Sequence, residues 1–255
     1  MAHNLDLYQP PTQPLSAERF TQGAIGTLLS AHPFIERPNG SNLALNAACF
    51  ALELGVLIGV GGPTGADPYI VTSEDSGLSW TTRTPAATHN NVDLFAVAWN
   101  GTMAVAVGDT DGSTGIIYTA TAPNGTGWTR RTPGTAKNVA LRGVAWSSTL
   151  TLWVAVGDDD GTRPVIYTSP DGITWTLQTP PAAAFDLNAV AWNGTAFVAV
   201  GDATGTRALI QTSTNGTTWT TQDYTGPKNF GLLAVAWSAR PTTRAARRTA
   251  PTPIC

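Results

Sequence analysis

Charge is scarce in this chain. Asp, Glu, Lys and Arg make up only 12% of its 255 residues, 14 basic against 17 acidic, for a net charge of −3. Solubility must therefore come from Thr, Ser, Asn and Gly. There is no electrostatic case for a nucleic acid or an anionic membrane as partner. His3, His32 and His89 are scattered and unpaired at ligand spacing, so no metal and no cofactor are expected. Of the two cysteines, Cys49 lies in an apolar run and Cys255 is the last residue; they read as a buried thiol and an incidental one rather than a redox pair. No run approaches the roughly 18 apolar residues of a membrane-spanning helix, so no membrane insertion is expected. The opening residues 1–14 have no cationic stretch followed by an apolar one, so no signal peptide is read, and a cytoplasmic or virion-associated location is expected.

Tryptophan, by contrast, is abundant and periodic. Trp80, Trp128, Trp175 and Trp219 are spaced by 48, 47 and 44 residues, and Trp99, Trp146, Trp192 and Trp237 by 47, 46 and 45. A period of this length, filled with short β-branched runs, predicts an all-β fold: a β-propeller in which each repeat forms one four-stranded antiparallel blade. Four full blades are expected at about 45–86, 92–134, 139–181 and 185–225, and a fragment at 230–239 reads as the first strand of a fifth, making an incomplete ring. Residues 1–44 do not repeat. They read as an extended Pro/Gln stretch and a short helix over 16–30.

Each repeat has four runs. The first is an inner strand such as Phe95–Trp99, Leu141–Trp146 or Leu187–Trp192. The second is apolar and ends in Val-Gly-Asp: Val107-Gly108-Asp109, Val156-Gly157-Asp158, Val200-Gly201-Asp202. The third carries Ile-Tyr-Thr or Ile-Gln-Thr, and the fourth opens on the periodic Trp as Trp-Thr-x-Arg or Trp-Thr-x-Gln. Asn100-Gly101 and Asn193-Gly194 predict type I′ hairpins between the first two runs. These pairs, Asn124 and Asn215 also match the glycosylation sequon, but recurrence at turns favours the hairpin reading. Blade 1 departs from the pattern, with Cys49-Phe50 for Ala-Trp and Gly61-Gly62 for Gly-Asp, as terminal repeats often do.

The turn between the third and fourth runs is the most specific signal. It reads Ser73-x-Asp75-x-Gly77-x-x-Trp80 in blade 1, Ser169-x-Asp171-Gly172-x-x-Trp175 in blade 3 and Ser213-x-Asn215-Gly216-x-x-Trp219 in blade 4; blade 2 keeps Asn124-Gly125-x-x-Trp128 and has lost the Ser. This resembles the Asp-box of the bacterial neuraminidase (BNR) repeat, a sialidase-like propeller family, over about residues 45–239. The resemblance implies a bracing role for the box, with Ser and Asp or Asn bonding the turn backbone and Trp filling space. For an active sialidase it would also imply an arginine triad, an Asp acid/base and a Tyr–Glu pair. None can be carried onto this chain. Phe34-Ile-Glu-Arg37-Pro38 has the letters of the family's early motif in the wrong order, and Glu18, Glu36, Glu53 and Glu74 have no Tyr in a repeat-equivalent loop. No catalytic residue is assigned.

In propellers the loops leaving the second and fourth strands share one face, which usually binds the partner. Here they hold Asp109, Asp111, Asp158, Asp160, Arg163, Asp202 and Arg207, with Arg131 and Tyr224 from the fourth-strand side. These are the expected ligand-binding residues, suited to a glycan or a protein partner. The Asp-x-Asp-Gly stretches lack the remaining ligands of a calcium loop. After Trp237 comes Ser238–Cys255, with four of the basic residues and no β pattern. Its later part, 240–255, reads as a disordered tail or as a shifted reading frame, since other codon phases over 244–254 permit a run like Gly61–Tyr69. An incomplete ring leaves a strand edge that invites self-association. The expected function is a non-catalytic recognition propeller that binds a glycan or a surface, in a virion or cell-surface attachment role. The alternatives are a sialidase-like hydrolase or a fragment of one, and a scaffold within a larger assembly.

Overall fold

A computed structural model describes residues 44–63, 67–85, 92–125, 127–205, 208–222 and 230–237. The helix expected over 16–30, the tail 240–255, and the side chains of Arg207 and Tyr224 lie outside these residues.

Among the described residues sixteen strands form four antiparallel sheets of four, each in simple sequence order. Blade 1 is β1 Leu45–Ala51, β2 Val56–Gly61, β3 Tyr69–Ser73 and β4 Thr81–Arg83. Blade 2 is β5 Leu94–Trp99, β6 Ala104–Thr110, β7 Gly115–Ala120 and β8 Thr129–Arg131. Blade 3 is β9 Leu141–Ser147, β10 Leu152–Asp159, β11 Pro164–Ser169 and β12 Thr176–Leu177. Blade 4 is β13 Leu187–Trp192, β14 Phe197–Ala203, β15 Ala208–Ser213 and β16 Thr220–Thr221. The inner strands pack in succession, β1 on β5, β5 on β9 and β9 on β13; among the described residues β13 makes no comparable packing on β1.

The core lies between blades. Ile116 and Tyr118 of β7 are buried with Ile58 and Ile70 of blade 1. Ile117, next to them in sequence, is buried with Leu141, Trp153 and Tyr167 of blade 3. Side chains alternate across a strand, so a sheet with a neighbour on each face buries every position. That is why β7 and β11 are buried along their whole length, with Thr119, Thr168 and Ser169 included. The next interface joins Val154, Val156 and Ile166 of blade 3 to Leu187, Phe197 and Trp219 of blade 4.

The hairpins between first and second strands correct the type I′ expectation. That turn needs positive φ at both central residues. Here Asn100 N–H donates to the Met103 carbonyl, which makes Gly101 and Thr102 the central pair; Gly101 has φ 100° and Thr102 is not in the positive region. Glycine with positive φ at the first central position is the type II′ arrangement. Asn100 flanks the turn, and its Oδ1 accepts the N–H groups of Thr102 (2.9 Å) and Met103 (2.7 Å). Asn193 does the same for Thr195 and Ala196.

The expected fifth-blade fragment, 230–239, is described as far as Trp237. Residues 231–236 belong to none of the four sheets. They nevertheless lie against blade 4. The Asn188 side-chain amide donates to the Leu232 carbonyl (3.1 Å), just as Asn46 of blade 1 donates to the Leu94 carbonyl of blade 2 (2.9 Å). Leu232 N–H donates to the Gly201 carbonyl (2.8 Å). The segment occupies the place of a next blade's first strand.

Candidate functional site

Every inner strand carries a β-bulge at its second residue. Registers slip between Leu45 and Ala47, between Leu94 and Ala96, opposite Val156/Gly157 in blade 3, and between Leu187 and Ala189. The bulged residues are Asn46, Phe95, Arg142 and Asn188. A bulge kinks the strand and re-aims its side chain. It also draws the incoming backbone against the second strand, where a Cβ on Gly61, Gly108, Gly157 or Gly201 would overlap the carbonyl oxygen of Ala44, Asp93, Ala140 or Asp186 respectively. The next residue, Gly62, Asp109, Asp158 or Asp202, donates its N–H to that same carbonyl. The recurring Val-Gly is thus a requirement of the bulge.

The side chains around the bulges form a polar rim. Arg142 makes a two-pronged ion pair with Asp158, and its guanidinium lies 5.5 Å from the Phe95 ring centre. Asn188 donates to Asp202 Oδ1 (2.9 Å) as well as to the Leu232 carbonyl. Asp186 accepts the N–H of Asp159 across the blade 3–4 boundary (2.9 Å). Burial raises the Asp186 pKa above its ordinary value; the Asp159 N–H opposes this, while the charges of Asp158 and Asp202 add to it. The Asp158 hydrogen bond raises the Arg142 pKa and holds the guanidinium charged. The rim is mainly acidic, with one cation already paired.

The outer parts of the same loops are braced internally. Asp111 Oδ1 accepts the N–H groups of Ser113 and Thr114, and Arg130 pairs with its Oδ2 at 3.2 Å. Burial pushes Asp111 up, but these bonds outweigh it and hold the carboxyl well below the usual range. Asp160 is likewise held low, chiefly by Lys137 at 2.7 Å and then by Thr162 and Arg163. Arg163 donates to the Pro180 carbonyl (3.1 Å). Arg131 Nε donates to the buried Thr119 hydroxyl (2.8 Å). Arg83 on Thr72, Gln178 on Thr168 and Gln222 on Thr212 repeat that contact. The Trp-Thr-x-Arg/Gln pattern is therefore a brace between third and fourth strands.

The Ser–Asp/Asn–Gly–Trp corners also bond to themselves. Ser73 donates to Asp75 Oδ1 (2.8 Å) and accepts Gly77 N–H (2.8 Å), and Asp75 accepts Ser79 N–H (2.9 Å). Asp171 takes the N–H groups of Ile173 and Thr174, as Asn215 takes those of Thr217 and Thr218. Ser169 and Ser213 donate to those acceptors, and Trp175 and Trp219 donate their indole N–H to the Gly172 and Gly216 carbonyls. Blade 2, without the Ser, closes its corner by Gly125 N–H on the Ala122 carbonyl, with Trp128 on Pro123 and Asn124 reaching Glu74 of blade 1 (3.0 Å). Trp128, Trp175 and Trp219 are buried.

Of the expected ligand residues, Asp109, Asp158 and Asp202 sit at the bulges, whereas Asp111, Asp160, Arg163 and Arg131 belong to the outer braces. Sequence reading placed Asp186 among the loop charges of the same face but missed Asn46, Phe95, Arg142 and Asn188. A signal was present: Leu94 and Val97 share one buried interface at a spacing of three, an odd step that an unbulged strand cannot make. Among the described residues no group of His, Cys, Asp and Glu could hold a metal ion. A cleft lined by Thr132, Gly134, Thr135 and Ile173–Leu177 shares none of the rim residues.

The model of the DUF6242 beta propeller domain matches residues 74–230, more than half of the chain. This chain belongs to the DUF6242 beta propeller family. No curated protein matches it. Among solved structures, YCF48 bound to a D1 peptide is similar at a TM-score of 0.53 and 16% identity, over 76% of this chain and 59% of that one. The computationally designed Ika8 protein is similar at 0.50 and 18%, over 77% of this chain and 53% of that one. A GH74 xyloglucanase from Xanthomonas campestris aligns at 0.49 and 19%, over 72% and 30%. The chain thus spans less than two thirds of each of these proteins. At such identities the likeness to YCF48 and Ika8 shows the propeller fold alone.

Proposed function

We propose that this DUF6242 propeller is a non-catalytic recognition module that takes a basic segment of a protein partner across the rim of bulges. One observation carries this reading. The fold repeats the bulge at one register position in four blades and sets a different chemistry there in three of them, with Asn46 and Asn188 flanking Phe95 and Arg142. Beside them stand Asp109, Asp158, Asp186 and Asp202, so the surface offers more carboxylates than its single paired guanidinium can neutralise. A Lys or Arg side chain would find both charge and hydrogen-bond acceptors there. A peptide ligand is in keeping with the similar propeller of YCF48, which is described with a D1 peptide bound.

The corners are, in this reading, Asp-boxes of the BNR type with a bracing role. Their support is the shared pattern of Ser, Asp or Asn, Gly and Trp bonds. A glycan is the second reading, favoured by the half-buried Phe95 ring beside the Arg142 guanidinium at the bulges.

A random-peptide display screen on the full chain tests the proposal. Enriched peptides should be rich in Lys and Arg, lose affinity as salt rises, and bind several-fold more weakly to Asp202→Asn and Asp186→Asn. Peptides that bind these variants as well as the parent would refute the rim as the site. Retention on a glycan array, lost in Phe95→Ala, would move the assignment to carbohydrate, and turnover of a fluorogenic sialoside would replace it with hydrolysis.

A further inference from the structure

We infer that Asn100 and Asn193 are sites of spontaneous deamidation through a succinimide, whereas Asn124 and Asn215, in the same Asn-Gly-Thr sequence, are shielded from it. The Asn100 and Asn193 hairpins close their inner strands at the end away from the bulges, so the rim has no part in this.

Four Asn-Gly-Thr tripeptides occur, at 100–102, 124–126, 193–195 and 215–217; a further Asn-Gly pair, Asn39-Gly40, lies outside the described residues. The residue after Asn dominates the intrinsic rate, so the four begin alike and the fold separates them. In this reaction the glycine nitrogen gives its proton to hydroxide and adds to the Asn Cγ. The new bond closes the succinimide ring, and the side-chain nitrogen leaves as ammonia. Water then opens the ring at either carbonyl. Attack at Cγ leaves Asp, and attack at the main-chain carbonyl leaves isoaspartate. No oxidant or reductant takes part. Ring closure needs a glycine nitrogen free to turn toward Cγ, and donors for the charge that develops on Oδ1.

Both needs are met in the hairpins. Asn100 Oδ1 accepts the Thr102 hydroxyl (3.0 Å) besides the N–H groups of Thr102 and Met103. Asn193 Oδ1 accepts the equivalent three groups of Thr195 and Ala196. The N–H groups of Gly101 and Gly194 have no acceptor among the described residues; Gly101 is half-buried and Gly194 exposed. Asn215 Oδ1 has a like set of donors in Thr217, Thr218 and Ser213. Its glycine differs: Gly216 is buried, and the Ser213 hydroxyl holds its N–H at 2.8 Å. The Gly125 N–H is likewise held by the Ala122 carbonyl (2.9 Å), and the Asn124 side-chain nitrogen, which would have to leave, is held by Glu74. An N–H committed to an acceptor gives up its proton less readily, and its nitrogen cannot turn without breaking that bond. Isoaspartate at residue 100 would run the main chain through Cγ and take the Oδ1 acceptor from Thr102 and Met103, opening the turn.

The test incubates the folded full chain in mildly alkaline buffer, with a parallel sample in urea, and follows each tripeptide by peptide mass spectrometry that separates Asp from isoaspartate. In the folded protein Asn100 and Asn193 should convert at least about fivefold faster than Asn124 and Asn215, the factor that one retained hydrogen bond supplies, with isoaspartate among the products. In urea the four rates should converge. Equal rates in the folded protein, or faster conversion at Asn124 or Asn215, would overturn the inference. So would Asp without isoaspartate, because the side-chain amide would then have been hydrolysed directly. Ser213→Ala, which releases the Gly216 N–H, should raise the Asn215 rate; an unchanged rate in the folded variant would refute the part given to the glycine nitrogen.

Discussion

Gly157 lies against the backbone carbonyl of Ala140, and a single added methyl would overlap that oxygen. Asp158, next in sequence, donates its N–H to the same carbonyl at 3.0 Å. Neither partner can retreat, because one is a buried strand and the other the start of the bulge. Gly157→Ala should therefore destabilise by about 3 kcal/mol, the upper part of the range for overpacking a core. Gly134→Ala, with nothing within 4 Å of its Cβ position, should be near neutral. Urea unfolding of the two variants checks the contrast, and equal midpoints would contradict the bulge as the reason for Val-Gly.

The corner carboxylates make stability depend on acid pH. Bonds from Ser79, and then from Ser73, lower the Asp75 pKa from 3.8 to about 2. A depressed folded value means that the unfolded chain binds the proton more readily. The contribution is complete above the unfolded value of 3.8 and is lost as pH falls through about 2. Asp75→Asn should keep the acceptor for Ser79 N–H, as Asn215 does in blade 4 for Thr217, and remove this part of the slope. Carboxyl titration by NMR, with melting curves between pH 5 and 2, provides the check; an unshifted Asp75 would contradict the hydrogen-bond assignment.

Gln211 is 0% exposed, and neither its amide nitrogen nor its oxygen has a partner. It occupies the place that Tyr118 and Tyr167 hold in blades 2 and 3, facing the preceding blade. Gln211→Leu removes two unsatisfied polar atoms at little change in volume, and should stabilise the protein by about 1–2 kcal/mol. A lower melting temperature would mean that the amide is satisfied by water.

Cys49 is held as a thiol by burial, which pushes its pKa up to about 12. Since the thiolate is the reactive form, Cys49 in a Cys255→Ser variant should react with iodoacetamide at pH 8 at least about tenfold more slowly than a free thiol, and at the ordinary rate in denaturant. Fast labelling of the native protein would show that the blade 1–2 interface opens.

The blades were legible because their signals are local. Trp-Thr-x-Arg/Gln, Asn-Gly-Thr and Ser-x-Asp-Gly each recur at a fixed place and act within a few residues or one strand pair. Even so, Asn100 was misplaced by one position in its turn, since Asn-Gly also suits a flanking Asn that caps the loop. The candidate site was half-legible. Asp109, Asp158 and Asp202 stood out through Val-Gly-Asp and Asp186 as a loop charge on the same face, but Arg142 and Phe95 belong to different blades and meet only across a blade boundary. The outer charges attracted the same functional reading, although Asp111, Asp160 and Arg131 are used by Ser113, Lys137 and Thr119.

By itself the sequence determined the repeat, the strand order within a blade and the braced corners, because hydrogen bonds and side-chain alternation act over short stretches of chain. Only the tertiary structure decided which carboxylates share a rim, which are spent in loops, and that Leu232 is held on blade 4 by Asn188 and Gly201. Those outcomes depend on how one sheet packs on the next, and residues about 45 apart come together there through buried surface rather than through any local pattern.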